Sequence, residues 1–229
     1  MRFRWERGRP TEAAATTAIG GEPFGEARGI SVGPDGSVWF GTDGAGVVRY
    51  RDGRFERVGA DAGLPTGIAR VVLARREGTW IGTDRGAFLL AEGRARPLAA
   101  LNGALDDPWI ASIAQAGGDV WVGSSYSAFR VRGERVVERV DRSTGLAGAS
   151  LSAEGSLSPL PDGRLAIATV GGLSLLGLGR SHRPPPVPAV AIAGAVDGAG
   201  RPVVPGRPIA HVDASVTFAF RSATFVAEE

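Results

Sequence analysis

Three tryptophans, Trp39, Trp80 and Trp121, recur at intervals of 41 residues, each inside the same short phrase. The phrases are Gly36-Ser37-Val38-Trp39-Phe40-Gly41-Thr42-Asp43, Gly78-Thr79-Trp80-Ile81-Gly82-Thr83-Asp84 and Gly118-Asp119-Val120-Trp121-Val122-Gly123-Ser124. A degenerate fourth copy, Asp162-Gly163-Arg164-Leu165-Ala166-Ile167-Ala168-Thr169, puts Ala166 in the tryptophan place, 45 residues on. A second marker keeps the beat, since Leu64, Leu105 and Leu146 also lie 41 residues apart. Two markers in phase define a repeat. A repeat constrains the fold strongly, because each unit must bury its apolar face against the next.

Each unit reads as four short strands. In the second, Ala69 to Ala74, Thr79 to Thr83, Gly86 to Leu90 and Arg94 to Leu98 are strands a to d, separated by glycine turns. Pro97 belongs on an outer strand, where a missing N–H costs least. The chain has 35 Gly and 15 Pro in 229 residues, which suits many tight turns more than long helices. Four strands in a period of ~40–45 residues point to a propeller blade. The expected fold is therefore all-β, with about four propeller blades.

The recurring residues have physical roles. Trp39, Trp80 and Trp121 fall on strand b, where a large flat side chain fills the gap between blades. Gly41, Gly82 and Gly123 follow them, at a strand position needing close backbone approach. Asp35-Gly36 and Asp162-Gly163 suit a tight turn with positive φ.

Several functions are disfavoured. There is no Cys, hence no thiolate metal site or disulfide framework. All basic residues are Arg, and the net charge is only +2. No Arg run interleaved with aromatics suggests a nucleic-acid surface. No apolar run reaches the ~18–20 residues of a membrane span, and the first residues hold no signal peptide. The two histidines, His182 and His211, lie outside the repeats, without a second ligand at metal spacing. Asp106-Asp107 and Glu228-Glu229 are adjacent carboxylates, which point to opposite faces of a strand. No phosphate-cradling loop or nucleophile–base pair is evident. No catalytic residue, metal or cofactor is expected.

The string Asp35-Gly36-Ser37-Val38-Trp39-Phe40-Gly41-Thr42 resembles the two-component regulator propeller repeat, and Gly63-Leu64-Pro65-Thr66 resembles the element between its blades. The resemblance covers roughly residues 21 to 178. Arg183-Pro184-Pro185-Pro186-Val187 reads as a stiff linker. Beyond it, Phe218-Ala219-Phe220-Arg221-Ser222-Ala223-Thr224-Phe225-Val226 resembles the first half of the triple-tyrosine β-sandwich that follows such propellers. The expected division is 1–20, an outer or closing strand plus linker; 21–178, the repeats; 179–188, the linker; and 189–229, a truncated sandwich. Departures from the pattern are the residue missing before Trp80, Ala166 for Trp and Ala168 for Gly.

The resemblance implies a non-catalytic periplasmic sensor module of a histidine kinase or diguanylate cyclase, here without its output domain. It also implies a small-molecule or glycan ligand, and pairing of two copies through the sandwich in the intact protein. One alternative is a propeller enzyme, because Gly33-Pro34-Asp35-Gly36-Ser37-Val38-Trp39-Phe40 also resembles repeats of streptogramin-type lyases. The other is a general protein-interaction propeller.

In a four-stranded meander the b–c turns and d–a connections emerge on one rim, and propeller function usually sits on such loops. Asp43, Asp84, Arg85, Trp109 and Tyr126 are the candidate ligand residues on that rim. An open arc of four blades would leave apolar terminal faces and favour self-association. One expected remedy is that Phe3 to Glu6 supplies the outer strand that the fourth unit lacks.

Overall fold

The computed structural model describes residues 2–6, 9–14, 18–19, 22–23, 25–65, 67–152, 154–179, 190–204, 206–208 and 215–222. The chain forms two units, divided between Arg183 and Pro184.

The first unit opens with two short antiparallel pairs. β1 (Arg2–Glu6) pairs with β2 (Arg9–Ala14), and β3 (Ala18–Ile19) pairs with β4 (Glu22–Pro23). Four meandering antiparallel sheets follow, arranged as the blades of a four-blade propeller. Blade 1 is β5 (Ala27–Val32), β6 (Val38–Thr42), β7 (Val47–Arg51) and β8 (Arg54–Val58). Blade 2 is β9 (Ala69–Arg75), β10 (Gly78–Thr83), β11 (Gly86–Ala91) and β12 (Arg94–Pro97). A single helical turn, α1 (Ala99–Asn102), leads towards blade 3. That blade is β13 (Ser112–Ala116), β14 (Asp119–Gly123), β15 (Ala128–Arg132) and β16 (Arg135–Val140). Blade 4 has three strands, β17 (Leu157–Pro159), β18 (Arg164–Thr169) and β19 (Gly172–Gly177). The first strands of the blades lie side by side, β5 by β9, β9 by β13 and β13 by β17, and so line the axis.

The strands of the second repeat form where the glycine turns place them, and Pro97 lies on the edge strand β12, opposite Phe88. Gly36 and Gly163 have φ of 77° and 81°, the left-handed backbone that their turns require. The expected closure by the N-terminus is not formed. β1 pairs with its own neighbour β2, a local hairpin that needs only a two-residue connection.

Each tryptophan packs across a blade boundary. Trp80 shares a cluster with Ile110, Ile113, Val120 and Val131 of blade 3. Trp121 does the same with Leu157, Leu165, Ile167 and Leu176 of blade 4. Trp39 packs on the cluster that joins Val47 and Val58 to Ala69, Val72, Ile81 and Leu90. A β-carbon on Gly41 would lie 2.2 Å from the Ala69 carbonyl oxygen, on Gly82 2.5 Å from Ile110 Cγ2, and on Gly123 2.5 Å from Leu151 Cδ2. The glycine is thus required wherever a neighbouring blade follows. Ala168 holds the matching place in blade 4, where it is only partly buried.

The terminal faces are apolar and uncovered. Ile30 and Val32 on β5 are 71% and 67% exposed, and Leu173 on β19 is 61% exposed. The counterparts of Ile30 inside the array, Val72, Ile113 and Leu157, and of Leu173, Val47, Ala87 and Ala128, build the inter-blade clusters.

In the second unit β20 (Val190–Asp197) pairs antiparallel with β21 (Val216–Ser222). The first part of the string Phe218 to Val226, expected to begin a β-sandwich, lies on β21. The linker Arg183 to Val187, His182 and His211 lie outside the described residues.

Candidate functional site

The starts of the axial strands and the ends of the second strands meet on one rim. Asp43 bridges Ile68, and the Ile110 N–H donates to the Thr83 carbonyl at 3.0 Å. This brings Asp43, Asp84 and Trp109 onto the same rim. Trp109 is fixed locally, because its backbone N–H donates to Asp107 Oδ1 at 3.0 Å. Asp107 also accepts a hydrogen bond from the Ser125 hydroxyl. That hydroxyl first, and then the Trp109 amide, hold the Asp107 carboxyl below its ordinary range.

Three side chains absent from the expected set tie this rim together. Arg70, from β9, donates to Glu154 Oε1 at 2.9 Å. Arg28, from β5, lies 3.8 Å from Glu154 Oε2, 3.4 Å from Asp43 and 3.1 Å from Glu26. Glu154 comes from the connection before β17, so one carboxylate links blade 4 to blades 1 and 2. The Arg70 guanidinium lies over the Trp109 ring, 5.3 Å from its centroid. Such stacking holds a guanidinium plane in place and strengthens as water is excluded.

The rim carries unspent hydrogen-bonding capacity. Nε of Arg28, Nε of Arg70 and Oδ1 of Asp84 are buried without a hydrogen-bond partner. Asp84 lies against the turn at Gly67, whose φ of 141° admits little but glycine. Arg85 and Tyr126 are exposed on neighbouring turns, outside the Arg28–Glu154–Arg70 chain. Thr66, on the same connection, lies outside the described residues.

Arg28 and Arg70 had a sequence signal. Both lie where the register of an axial strand shifts beside the repeat glycine, Arg28 between the paired Ala27 and Ile30 and Arg70 between the paired Ala69 and Val71, so they share a phase. Glu154 had none, because the fourth unit has lost its regular spacing there.

A second cluster sits on the opposite rim and has a structural role. The Trp39 Nε1–H donates to Ser37 Oγ at 2.9 Å, and that hydroxyl donates to Asp35 Oδ1 at 2.6 Å. Arg49 and Arg51 each donate to Asp35 Oδ2 at 2.9 Å. The Ser37 hydroxyl and amide, followed by the two guanidiniums, lower the Asp35 pKa to about 2. Blade 3 repeats the arginine part of this device, with Arg130 and Arg132 both bonded to Asp119, while Trp121 Nε1 has no partner. A cleft of about 840 Å³ opens beside Trp39, between blades 1 and 2. Thr79 lines it, at the place where Val120 and Leu165 seal the later tryptophans. The cleft carboxylate Asp35 is held by its own arginines, and Arg49 Nε there is buried without a partner. On the rim at the axial mouth it is a carboxylate oxygen, Asp84 Oδ1, as well as two arginine Nε atoms that lack partners. Among the described residues no group of three or more His, Cys, Asp or Glu could hold a metal ion.

No family model matches the chain, and no curated protein matches it. Solved structures do. The extracellular domain of a hybrid two-component system from Bacteroides thetaiotaomicron matches 93% of this chain and 31% of its own length, with TM-score 0.61 and 16% identity. A second such domain from the same organism matches 74% of this chain and 22% of its own, with TM-score 0.55 and 16% identity. This chain therefore spans less than a third of either domain. A lyase for virginiamycin B from Staphylococcus aureus matches with TM-score 0.44, too low to bear on function. At these identities the likeness establishes a shared propeller fold. Among the described residues no helix is long and apolar enough to cross a membrane.

Proposed function

We propose that this chain is the recognition module of an extracytoplasmic bacterial sensor, binding a small-molecule or glycan ligand at the axial mouth and catalysing no reaction. The supporting observation is the meeting of Arg28, Arg70 and Glu154, from three blades, beside the Trp109 ring. A rigid scaffold that gathers an aromatic face and polar groups at one opening is suited to binding. The fold likeness to extracellular domains of two-component systems supports the same reading. In the intact protein, pairing of two copies through the second unit belongs to this proposal.

The reading is tested by a thermal-shift screen of monosaccharides, oligosaccharides and small organic acids. A hit whose shift disappears in Trp109→Ala supports the mouth as the site. A hit that persists unchanged in both Trp109→Ala and Asp43→Asn places recognition elsewhere. Turnover of a hit, followed by mass spectrometry, would contradict the non-catalytic reading.

A further inference from the structure

We propose that Arg70 is the seat of a ligand carboxylate, and that Glu154 occupies that seat until the ligand displaces it. This rests on the reading of the axial mouth as the binding site.

The repeat itself shapes the seat. Arg28 and Arg70 hold equivalent places on adjacent axial strands. The same phase carries Ala111 in blade 3, whose N–H donates to the Gly123 carbonyl, and Gly155 in blade 4. Two long cations therefore face two small residues. Glu154, next to Gly155, reaches from the side of the small residues to both cations.

Glu154 has the character of a removable stopper. Its side chain is 36% exposed, whereas those of Arg70 and Arg28 are 18% and 24% exposed. Arg28 keeps Glu26 and Asp43 as partners if Glu154 leaves. Arg70 does not, because Glu154 is its one carboxylate partner among the described residues. An unneutralised, part-buried guanidinium is costly, so whatever displaces Glu154 must bring its own negative charge.

The geometry favours a carboxylate. A guanidinium presents its donors as a planar fork matched to two oxygens. Arg70 uses Nη1 on Glu154 while its Nε is buried without a partner, so its fork is only partly used. Trp109 fixes the guanidinium plane and gives a ring-bearing ligand a flat neighbour. Exchange of one carboxylate for another keeps the charge balance of the mouth. A neutral ligand would leave Arg70 unpaired, and a cation would be repelled by it.

The test is calorimetric titration of the 229-residue chain with D-glucuronate, D-glucose and acetate. Glucuronate is expected to bind and glucose is not. Acetate in excess is expected to compete with glucuronate, since the carboxylate is the shared group. Glu154→Gln is expected to tighten glucuronate binding about tenfold, because the internal competitor loses its charge. Arg70→Gln should abolish binding, while Arg94→Gln, on the outer strand of blade 2, should leave it unchanged. A thermal melt of each variant separates lost binding from lost folding. Failure of Glu154→Gln to tighten binding overturns the proposal. Equal binding of glucose and glucuronate, both lost in Arg70→Gln, overturns the carboxylate assignment and leaves the mouth as the site. Binding insensitive to both substitutions overturns the two readings together.

Discussion

Gly82 and Ile110 meet so closely across the boundary of blades 2 and 3 that a β-carbon on Gly82 would lie 2.5 Å from Ile110 Cγ2. The obstacle is a side chain, which can shift. At Gly41 the obstacle is the Ala69 backbone carbonyl at 2.2 Å, which can shift only with the blade. Gly82→Ala is therefore expected to cost ~1–3 kcal/mol, the usual range of overpacking, and Gly41→Ala more than that. Gly177→Ala meets nothing within 4 Å and should be close to neutral. Urea denaturation of the three variants checks the order.

The tryptophans should not be equivalent in energy. Trp121 is fully buried and Trp39 is only partly buried beside an open cleft. Trp121→Ala is expected to cost ~3–5 kcal/mol, and Trp39→Ala clearly less. Thr79→Val, which copies the residue that seals Trp80, should stabilise the chain by closing part of that cleft. Equal losses for Trp39 and Trp121 in denaturation midpoints would contradict this assignment.

Asp35 gives a pH signature. Its folded pKa of about 2 lies below the unfolded value, near ~3.9. A carboxyl depressed on folding stabilises the protein above the unfolded pKa, and that contribution is lost as pH falls through the folded pKa. Asp35→Asn should therefore be less stable than wild type at pH 7. The gap should shrink between about pH 4 and pH 2. Denaturation midpoints across that range check the sign, and a gap that widens in acid would refute it.

The uncovered faces predict self-association. Ile30 and Val32 at one end of the array, with Leu173 and Leu175 at the other, are exposed. β19 is also an unpaired edge. Light scattering of the wild type should show association that rises with concentration. Replacing Val32 and Leu173 together by Thr should reduce it without lowering the melting temperature.

The repeat made most of the fold legible. A tryptophan, a glycine two residues later and a leucine elsewhere, all at 41-residue spacing, mark the first three blades, and the glycine turns of the second unit place its four strands. The same phase logic accounts for Ala168, a glycine position relieved of its neighbour. Closure by Phe3 to Glu6 rests on a vacancy in the fourth unit and pairs distant strands, while the pairing of β1 with β2 is local and has a lower entropic cost. The candidate site was half legible. Loop geometry identified the rim, including Asp43, Asp84 and Trp109. It missed Arg28 and Arg70, whose phase was visible but whose partner was not. Glu154 lies 84 residues from Arg70, in the least regular part of the array.

The pairing of Arg70 with Glu154 exists only if blades 2 and 4 face one another across a common axis. A double-mutant cycle with Arg70→Gln, Glu154→Gln and the double variant measures that pairing directly. The account predicts a coupling of about 0.5 kcal/mol or more at low ionic strength, shrinking as salt is added. Strict additivity at every salt concentration would contradict it.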